Sequence, residues 1–470
     1  MAGAARLLPV GAQSSVTGGA TPRGDVILST RALATIGEPR ARPLAGPKEW
    51  EVRVGAGVSL DQLQRTLAAH GLYYPPIPTY AGAFVGGTVA TNAAGAATFK
   101  YGTTRAWVAG LTVVLAGGDI LDLRRGAVSA SPDGIFEIAH PSGAVTQVPV
   151  PRHGMPEVPK LSAGYFARPD MDLVDLFIGS EGTLGVIVDA VLRVIERPRR
   201  VVALVTCATE GQAIQVTALL RADARRAWRG EGPLDVAAIE YMDSRALALL
   251  EDAAFARAGV PRPPREAVQL LVQIETAERE EDALVRFRDV LDSAGVGEDP
   301  IVALPGDETG AARLFDLREA VPARLNAVIG ALKAADPEIQ KTAGDMIVPF
   351  ARLADALALY RRAFETRGLG YAIWGHVSDG NLHPNVVPTS RRDVEQGREA
   401  MLEMARGVVA MGGAPLAEHG VGRSPLKQRL LRELYGDAAI DAMRAVKRAL
   451  DPEWKLAAGV LFDARPILPR

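Results

Sequence analysis

Gly86-Gly87-Thr88-Val89-Ala90-Thr91-Asn92-Ala93-Ala94-Gly95 is a run of ten small residues. Side chains this short cannot interdigitate into a core of their own. They do let the backbone come close to whatever lies against it. The run reads either as a slot for a large flat ligand or as a tightly packed strand pair. Pro75-Pro76-Ile77-Pro78 stiffens the chain ahead of it. Two more glycine-punctuated stretches lie outward from it. Gly11-Ala12-Gln13-Ser14-Ser15-Val16-Thr17-Gly18-Gly19-Ala20-Thr21-Pro22 offers bare N–H groups and hydroxyls that suit phosphate oxygens, or else a plain flexible turn. Gly179-Ser180-Glu181-Gly182-Thr183-Leu184-Gly185-Val186-Ile187 is by itself a turn entering an apolar strand.

The chain has 470 residues, room for two or three domains. Lys plus Arg is 53 and Asp plus Glu is 55, so no basic field exists to hold nucleic acid. With 48% hydrophobic and 23% charged residues the composition is that of a globular protein, not a disordered one. Cys207 is the single cysteine, which excludes an internal disulfide and cysteine-based zinc or iron–sulfur centres; it sits in an apolar strand and reads as packing. No apolar stretch of about 20 residues occurs, so no spanning helix is expected. The first residues carry too short an apolar run for a secretory signal.

Short apolar runs bounded by turn residues predict strands at 51–56, 86–95, 111–116 and 185–195. A helix is expected over 60–70, with Ser59 as cap, Gln62 completing a capping box and Gly71 ending it. The pattern weakens between 129 and 175, a long irregular excursion. The texture changes at Glu196-Arg197-Pro198-Arg199-Arg200. Beyond it strands (201–206, 235–241, 268–275) alternate with helices (211–228, 244–258, 278–294), the rhythm of an antiparallel sheet under helices. Later helices are expected at 311–332, 350–367, 391–411 and 425–450. The fold class is α+β, with domains at 1–197 and 198–470 and the segment of about 425–465 returning to the first domain.

Gly375-His376-Val377-Ser378-Asp379-Gly380-Asn381-Leu382-His383-Pro384-Asn385 carries a hairpin signal at Asp379-Gly380. A two-residue turn there pairs His376 with His383, placing Cβ atoms about 5 Å apart, a bite for one divalent metal. Histidine is scarce, 6 in the chain, and a third stands in Ala417-Glu418-His419-Gly420-Val421-Gly422. Glu418 can complete a His-His-carboxylate set, and an imidazole such as His419 is the side chain suited to taking a proton in neutral conditions. The alternative is satisfied polar residues on a sheet rim.

Together these motifs resemble the FAD-linked D-2-hydroxy-acid dehydrogenases, the family of D-lactate dehydrogenases, D-2-hydroxyglutarate dehydrogenase and the flavin subunit of glycolate oxidase, within the vanillyl-alcohol oxidase superfamily. The likeness runs from about Leu7 to Phe462. It implies a two-subdomain FAD-binding domain of the PCMH type, short at its N-terminus, followed by an α+β cap with an antiparallel sheet and a substrate site between them. Gly11, Ala12, Gln13, Ser14, Ser15, Thr17 and Gly18 would hold the FAD pyrophosphate. Pro78, Gly86, Gly87, Thr88, Thr91, Asn92 and Gly95 would line the flavin, with Tyr101, Gly102, Glu181, Gly182, Gly185 and Ile187. No histidine lies near the phosphate loop, so FAD is expected to be non-covalent. The resemblance implies a divalent metal (zinc, manganese or iron) on His376, His383 and Glu418, and His419 as the base. Arg318, in Leu317-Arg318-Glu319, would grip the substrate carboxylate with Lys341 and Asn385 beside it.

That assignment has a chemical logic. A 2-hydroxy acid offers a carboxylate for a bidentate Arg318 and a point charge from Lys341. A metal would acidify its hydroxyl, His419 would take the proton, and the α-hydrogen would leave as hydride to the flavin. Three features depart from the pattern: few residues precede Gly11, predicting an unpaired edge of the flavin fold; Ser378 replaces a usual glycine; and Leu456-Ala457-Ala458-Gly459 stands where a Leu-Asn-Pro-Gly tail is common. Two other readings are an alkylglycerone-phosphate-synthase-like flavoenzyme, whose histidine run is absent here, and a non-catalytic flavin subunit of a glycolate-oxidase-like complex. The expected partners are a small 2-hydroxy acid and an electron acceptor left open among cytochrome, quinone, electron-transfer flavoprotein and oxygen; a homodimer and a larger complex both remain open. The expected location is the cytoplasm, or the periphery of the inner membrane.

Overall fold

Eleven residues of alternating burial form the strand Val186–Glu196, and a sheet is built around it. Glu49–Gly55 and Val108–Val114 pair with it antiparallel on either side. Arg40–Ala41 and Ile120–Arg124 extend the sheet outward, and Leu72–Tyr73 pairs with the end of the central strand. The computed structural model describes residues 5–42, 49–140, 143–276 and 280–463. The chain forms two compact units. The first comprises Met1–Gly95, Gly102–Arg197 and Leu416–Arg470, and the second Ala96–Tyr101 and Pro198–Pro415.

In the first unit, helix Leu60–Ala68 begins where expected. Ser59 Oγ accepts the Gln62 N–H at 3.1 Å, and Leu60, Leu63 and Leu67 form its buried stripe. The expected strand over 86–95 is instead a helix, Val85–Ala90, followed by a turn. A short apolar run does not by itself settle its period. Here Val85, Thr88 and Val89 are buried on one face, the i, i+3, i+4 spacing of a helix. The hydroxyls of Thr88 and Thr91 return hydrogen bonds of 2.9 Å to the carbonyls of Val85 and Gly87. The parallel pair Leu7–Val10 and Val26–Ser29 is bridged at Leu7 to Leu456, with Leu7 N–H donating to Lys455 at 2.7 Å and Ala457 N–H to Leu7 at 2.8 Å. That tail is held from below by Lys447, whose buried ammonium bonds the carbonyls of Thr183 and Leu456 and the Asp451 carboxylate. Helix Pro425–Leu450 is broken at Gly436, where φ is +77°.

The second unit is a seven-stranded antiparallel sheet in the order Ile301–Ala303, Arg199–Cys207, Val268–Thr276, Asp235–Met242, Tyr371–His376, Asn381–Val386, Met346–Ile347. Cys207 ends its strand buried. Helix Glu308–Ala335 lays Leu314, Leu317, Val321, Leu325 and Ile329 on the apolar side chains of Val202, Leu204, Met242 and Leu271. The helix expected over 244–258 is two, Ser244–Ala248, capped by the Asp243 side chain on the Ala246 N–H, and Asp252–Ala258. The helix expected from 278 runs Glu281–Ser293; residues 277–279 lie outside the described ones. Among the described residues no helix is long and apolar enough to cross a membrane.

Candidate active site

Within the first unit the small-residue segments surround an open cleft of about 330 Å³. That lies within the range of small-molecule sites, and the cleft is open along one side. Of the residues singled out for the cofactor, Gly11, Ala12, Gln13, Ser14, Ser15, Pro78, Gly86, Gly87, Thr88, Thr91, Glu181, Gly182, Gly185 and Ile187 line it. Glu418 and His419 line it as well. The site residues Thr17, Gly18, Asn92, Gly95 and Gly102 are not among the lining residues. Thr17 supports the wall: its carbonyl accepts the Arg423 N–H at 3.0 Å. Asn92 is a brace, donating to the Leu161 carbonyl and accepting the Arg105 N–H. Tyr101 belongs to the second unit, where its hydroxyl donates to Glu275.

The cleft fits a flat cofactor with a pyrophosphate. A Cβ added to Gly87 would meet no atom within 4 Å, so this glycine opens onto empty space. Among the described residues the backbone N–H groups of Ala12, Gln13, Ser14 and Ser15 have no hydrogen-bond acceptor, the state of a loop ready for phosphate oxygens. Other glycines are small for a different reason. A Cβ at Gly86 would lie 2.6 Å from that of Ala56, and one at Gly95 2.0 Å from the Ile77 carbonyl oxygen. At these two the Cβ position is taken by protein.

The loop bearing His419 is tied down by carboxylates. Glu181 accepts the N–H groups of Val421 at 2.8 Å and Gly422 at 2.7 Å. Burial outweighs those two donors and pushes its carboxyl up to about 7. Arg423 next anchors on Asp25 at 2.7 Å, and this guanidinium holds the Asp25 carboxyl below its ordinary range. Glu418 is paired with Lys160 at 3.0 Å, the lysine side chain being wholly buried. His419 Nε2 lies 3.4 Å from the other Glu418 oxygen, on a ring about one-third exposed.

In the second unit the expected hairpin register is corrected. His376 faces Asn381, and His383 faces Trp374. The connection is not a two-residue turn: Val377–Asp379 form a short 3-10 turn closed by Gly380 at φ +83°. A Cβ there would lie 2.3 Å from the Val348 carbonyl oxygen, so this position admits glycine alone. Asp379 Oδ1 accepts the Asn381 N–H, which lengthens the loop and shifts the pairing by two residues. A shift of two keeps both imidazoles on one face, diagonal neighbours with ring centroids 5.5 Å apart. The hydroxyl of Ser378, in place of a glycine, accepts the Ile239 N–H at 3.1 Å, beside an irregularity in that strand.

Around this pair, Asp345 lies 3.7 Å from His383 Nδ1 and accepts from Asn381. The side-chain oxygens of Asn381 and Asn385 are buried and, among the described residues, have no hydrogen-bond partner. Imidazole and carboxylate are the ligand types that zinc, manganese and iron take, and orphaned buried oxygens beside them fit a cation. Arg318 is buried and donates from Nε to Glu240 at 2.6 Å and from Nη1 to Glu319 at 3.0 Å. His376 Nδ1 bonds the other Glu240 oxygen. Burial opposes ionisation of Glu240, but the Arg318 guanidinium, with the hydrogen bonds from His376 and Arg318, outweighs it and holds the carboxyl at about 2. Lys341 donates to Asn326 at 2.9 Å, and burial holds its ammonium below the ordinary value. Asn385 donates to the His383 carbonyl at 2.7 Å.

Sequence reasoning missed Lys160, Glu240 and Asp345 as partners of these groups. The available signal was a lone charge inside an apolar segment: Lys160 follows Val158-Pro159 and precedes Leu161, and Glu240 stands between Ile239 and Tyr241. A buried charge demands a partner, but the partner is distant in sequence.

The model of the C-terminal domain of FAD linked oxidases matches residues 197–461, and an FAD binding domain model matches residues 2–124. The chain is 28% identical to the glycolate oxidase subunit GlcD of Bacillus subtilis (strain 168), over 98% of this chain and 84% of that one. It is 29% identical to a D-2-hydroxyglutarate dehydrogenase of Stutzerimonas stutzeri (strain A1501), over 87% and 76%. It is 28% identical to a D-lactate dehydrogenase of Anaerostipes hadrus, over 96% and 83%. The solved structure of an alkyldihydroxyacetonephosphate synthase shares the fold with a TM-score of 0.62 at 16% identity, over 96% of this chain and 71% of that one. With a PCMH-type FAD-binding domain joined to an FAD-oxidase cap, the chain belongs to the FAD-linked oxidase family and is a flavin-dependent oxidoreductase.

Proposed function

We propose that the protein oxidises a D-2-hydroxy acid of the lactate, glycolate or 2-hydroxyglutarate type to the 2-oxo acid. The observation that carries this reading is the carboxylate-anchored loop that presents Glu418 and His419 on the wall of the glycine-lined cleft. The relatives named above, which include a D-lactate and a D-2-hydroxyglutarate dehydrogenase, support the substrate class. Non-covalent FAD, seated along that cleft, supplies the hydride acceptor that no side chain can provide. His419 takes the hydroxyl proton. Arg318 and Lys341 bind the substrate carboxylate, Arg318 held by Glu240 in a fixed orientation, and Asn385 adds a buried polar contact. A divalent metal held by His376, His383 and Glu418 would lower the pKa of the substrate hydroxyl.

Anaerobic addition of D-lactate, glycolate or D-2-hydroxyglutarate should bleach the flavin absorbance. His419→Ala should retain FAD and lose bleaching by at least about 100-fold in rate. Flavin that stays oxidised with every acid of this class, or a variant that bleaches as fast as the parent, refutes the assignment.

A further inference from the structure

We propose that Glu240 is a positioning residue whose single carboxylate sets the tautomer of His376 and, through its second oxygen, fixes the guanidinium of Arg318. The inference rests on the proposed roles of those two residues, and deepens them. Glu240 sits in the strand Asp235–Met242, where both of its neighbours are apolar and buried. Its own exposure is 2%. One oxygen receives His376 Nδ1 and the other receives Arg318 Nε at 2.6 Å. His376 lies directly opposite Glu240 across the antiparallel pair, so the backbone register brings the two together. A carboxylate with a guanidinium N–H 2.6 Å from one oxygen accepts through the other and does not donate. The proton on the His376 ring must therefore sit on Nδ1, which leaves the lone pair on Nε2. An imidazole fixed this way is a preoriented metal ligand. One anion thus couples two functions: the nitrogen offered to a metal and the plane of the guanidinium offered to a carboxylate.

Glutamine at this position separates the two. Its amide has one acceptor oxygen and one donor nitrogen, so it cannot accept from both residues. The guanidinium, always a donor, takes the oxygen. The amide N–H then faces His376 Nδ1 and drives the ring proton to Nε2.

The test reads the ring itself and needs neither substrate nor flavin reduction. With 6 histidines in the chain, selective 15N-histidine NMR of the parent protein, with His376→Gln to assign the signal, should show His376 protonated on Nδ1 and bare on Nε2. The Nε2–H tautomer in the parent overturns the proposal, whatever the variants do. In Glu240→Gln the signal should switch tautomer, and Zn2+ affinity from chelator competition should fall about 10–100-fold at unchanged FAD content. A folded Glu240→Gln protein with parental Zn2+ affinity and tautomer likewise overturns it. If Glu240→Gln does not fold, or the parent binds no Zn2+, the parental tautomer alone decides. Flavin bleaching by hydroxy acids is measured separately, so failure of the substrate reading is distinguished from failure of this one.

Discussion

Gly87 separates fold stability from cofactor binding, because the two respond to the same methyl group with opposite signs. It lies within helix Val85–Ala90, its helical neighbours Ala90 and Thr91 share the cleft wall, and a Cβ there meets no protein atom within 4 Å. Gly87→Ala removes backbone freedom from the unfolded chain and improves helix propensity by about 0.5–1 kcal/mol. No steric term opposes this, unlike Gly86, where the added carbon would lie 2.6 Å from Ala56 Cβ and overpack the core. The apo protein should therefore gain roughly 1–4 °C in thermal midpoint. The same carbon stands where the flat cofactor would lie, so FAD affinity should fall by at least about tenfold, or ~1.4 kcal/mol. Gly87→Val should extend the loss of affinity. Differential scanning fluorimetry of deflavinated protein gives the first quantity, and titration of FAD fluorescence quenching gives the second. A Gly87→Ala protein that is stabilised yet binds FAD as tightly as the parent would show that the cofactor does not occupy this cleft.

Lys160→Met should destabilise the fold by ~3–5 kcal/mol, because it removes the wholly buried ammonium paired with the Glu418 carboxylate. Lys160→Met combined with Glu418→Gln should recover part of that loss in a urea titration, and a simply additive double variant would argue against the pairing. Glu181 supplies a pH test of opposite slope to that of ordinary carboxylates. Its folded value of about 7 lies above the ordinary 4.5, so its contribution to stability is complete below pH 4.5 and is lost as pH rises through 7. Glu181→Gln should flatten the fall in unfolding free energy from urea titration over that window, by up to about 3 kcal/mol; parallel curves for variant and parent would contradict it.

The residues proposed for the site were legible as candidates because they lie in local stretches. The glycine runs, the hydroxyls of 14–21, the two histidines of 376–383 and the Glu418-His419 pair are all readable as short motifs. Locality also explains the errors. The Asp379-Gly380 pair signals a turn, but the length of that turn is set by the Val348 backbone, which excludes any Cβ at Gly380. Residues 86–95 carry no side chains large enough to show a period, so a helix and a strand look alike until packing against Ala56 selects the helix.

By itself the sequence determined the class of the protein: a mixed α and β flavoprotein with its glycine-rich stretches and its scarce histidines in a recognisable order. Those features depend on residue type and spacing along the chain. Only the tertiary structure decided which charges answer one another. Lys160 meets Glu418 across 258 residues, Glu181 meets Val421 across 240, and Glu240 meets His376 across 136. Pairing over such distances follows from the cost of burying an uncompensated charge. That cost requires a partner to be present, but it does not say where along the chain the partner is encoded.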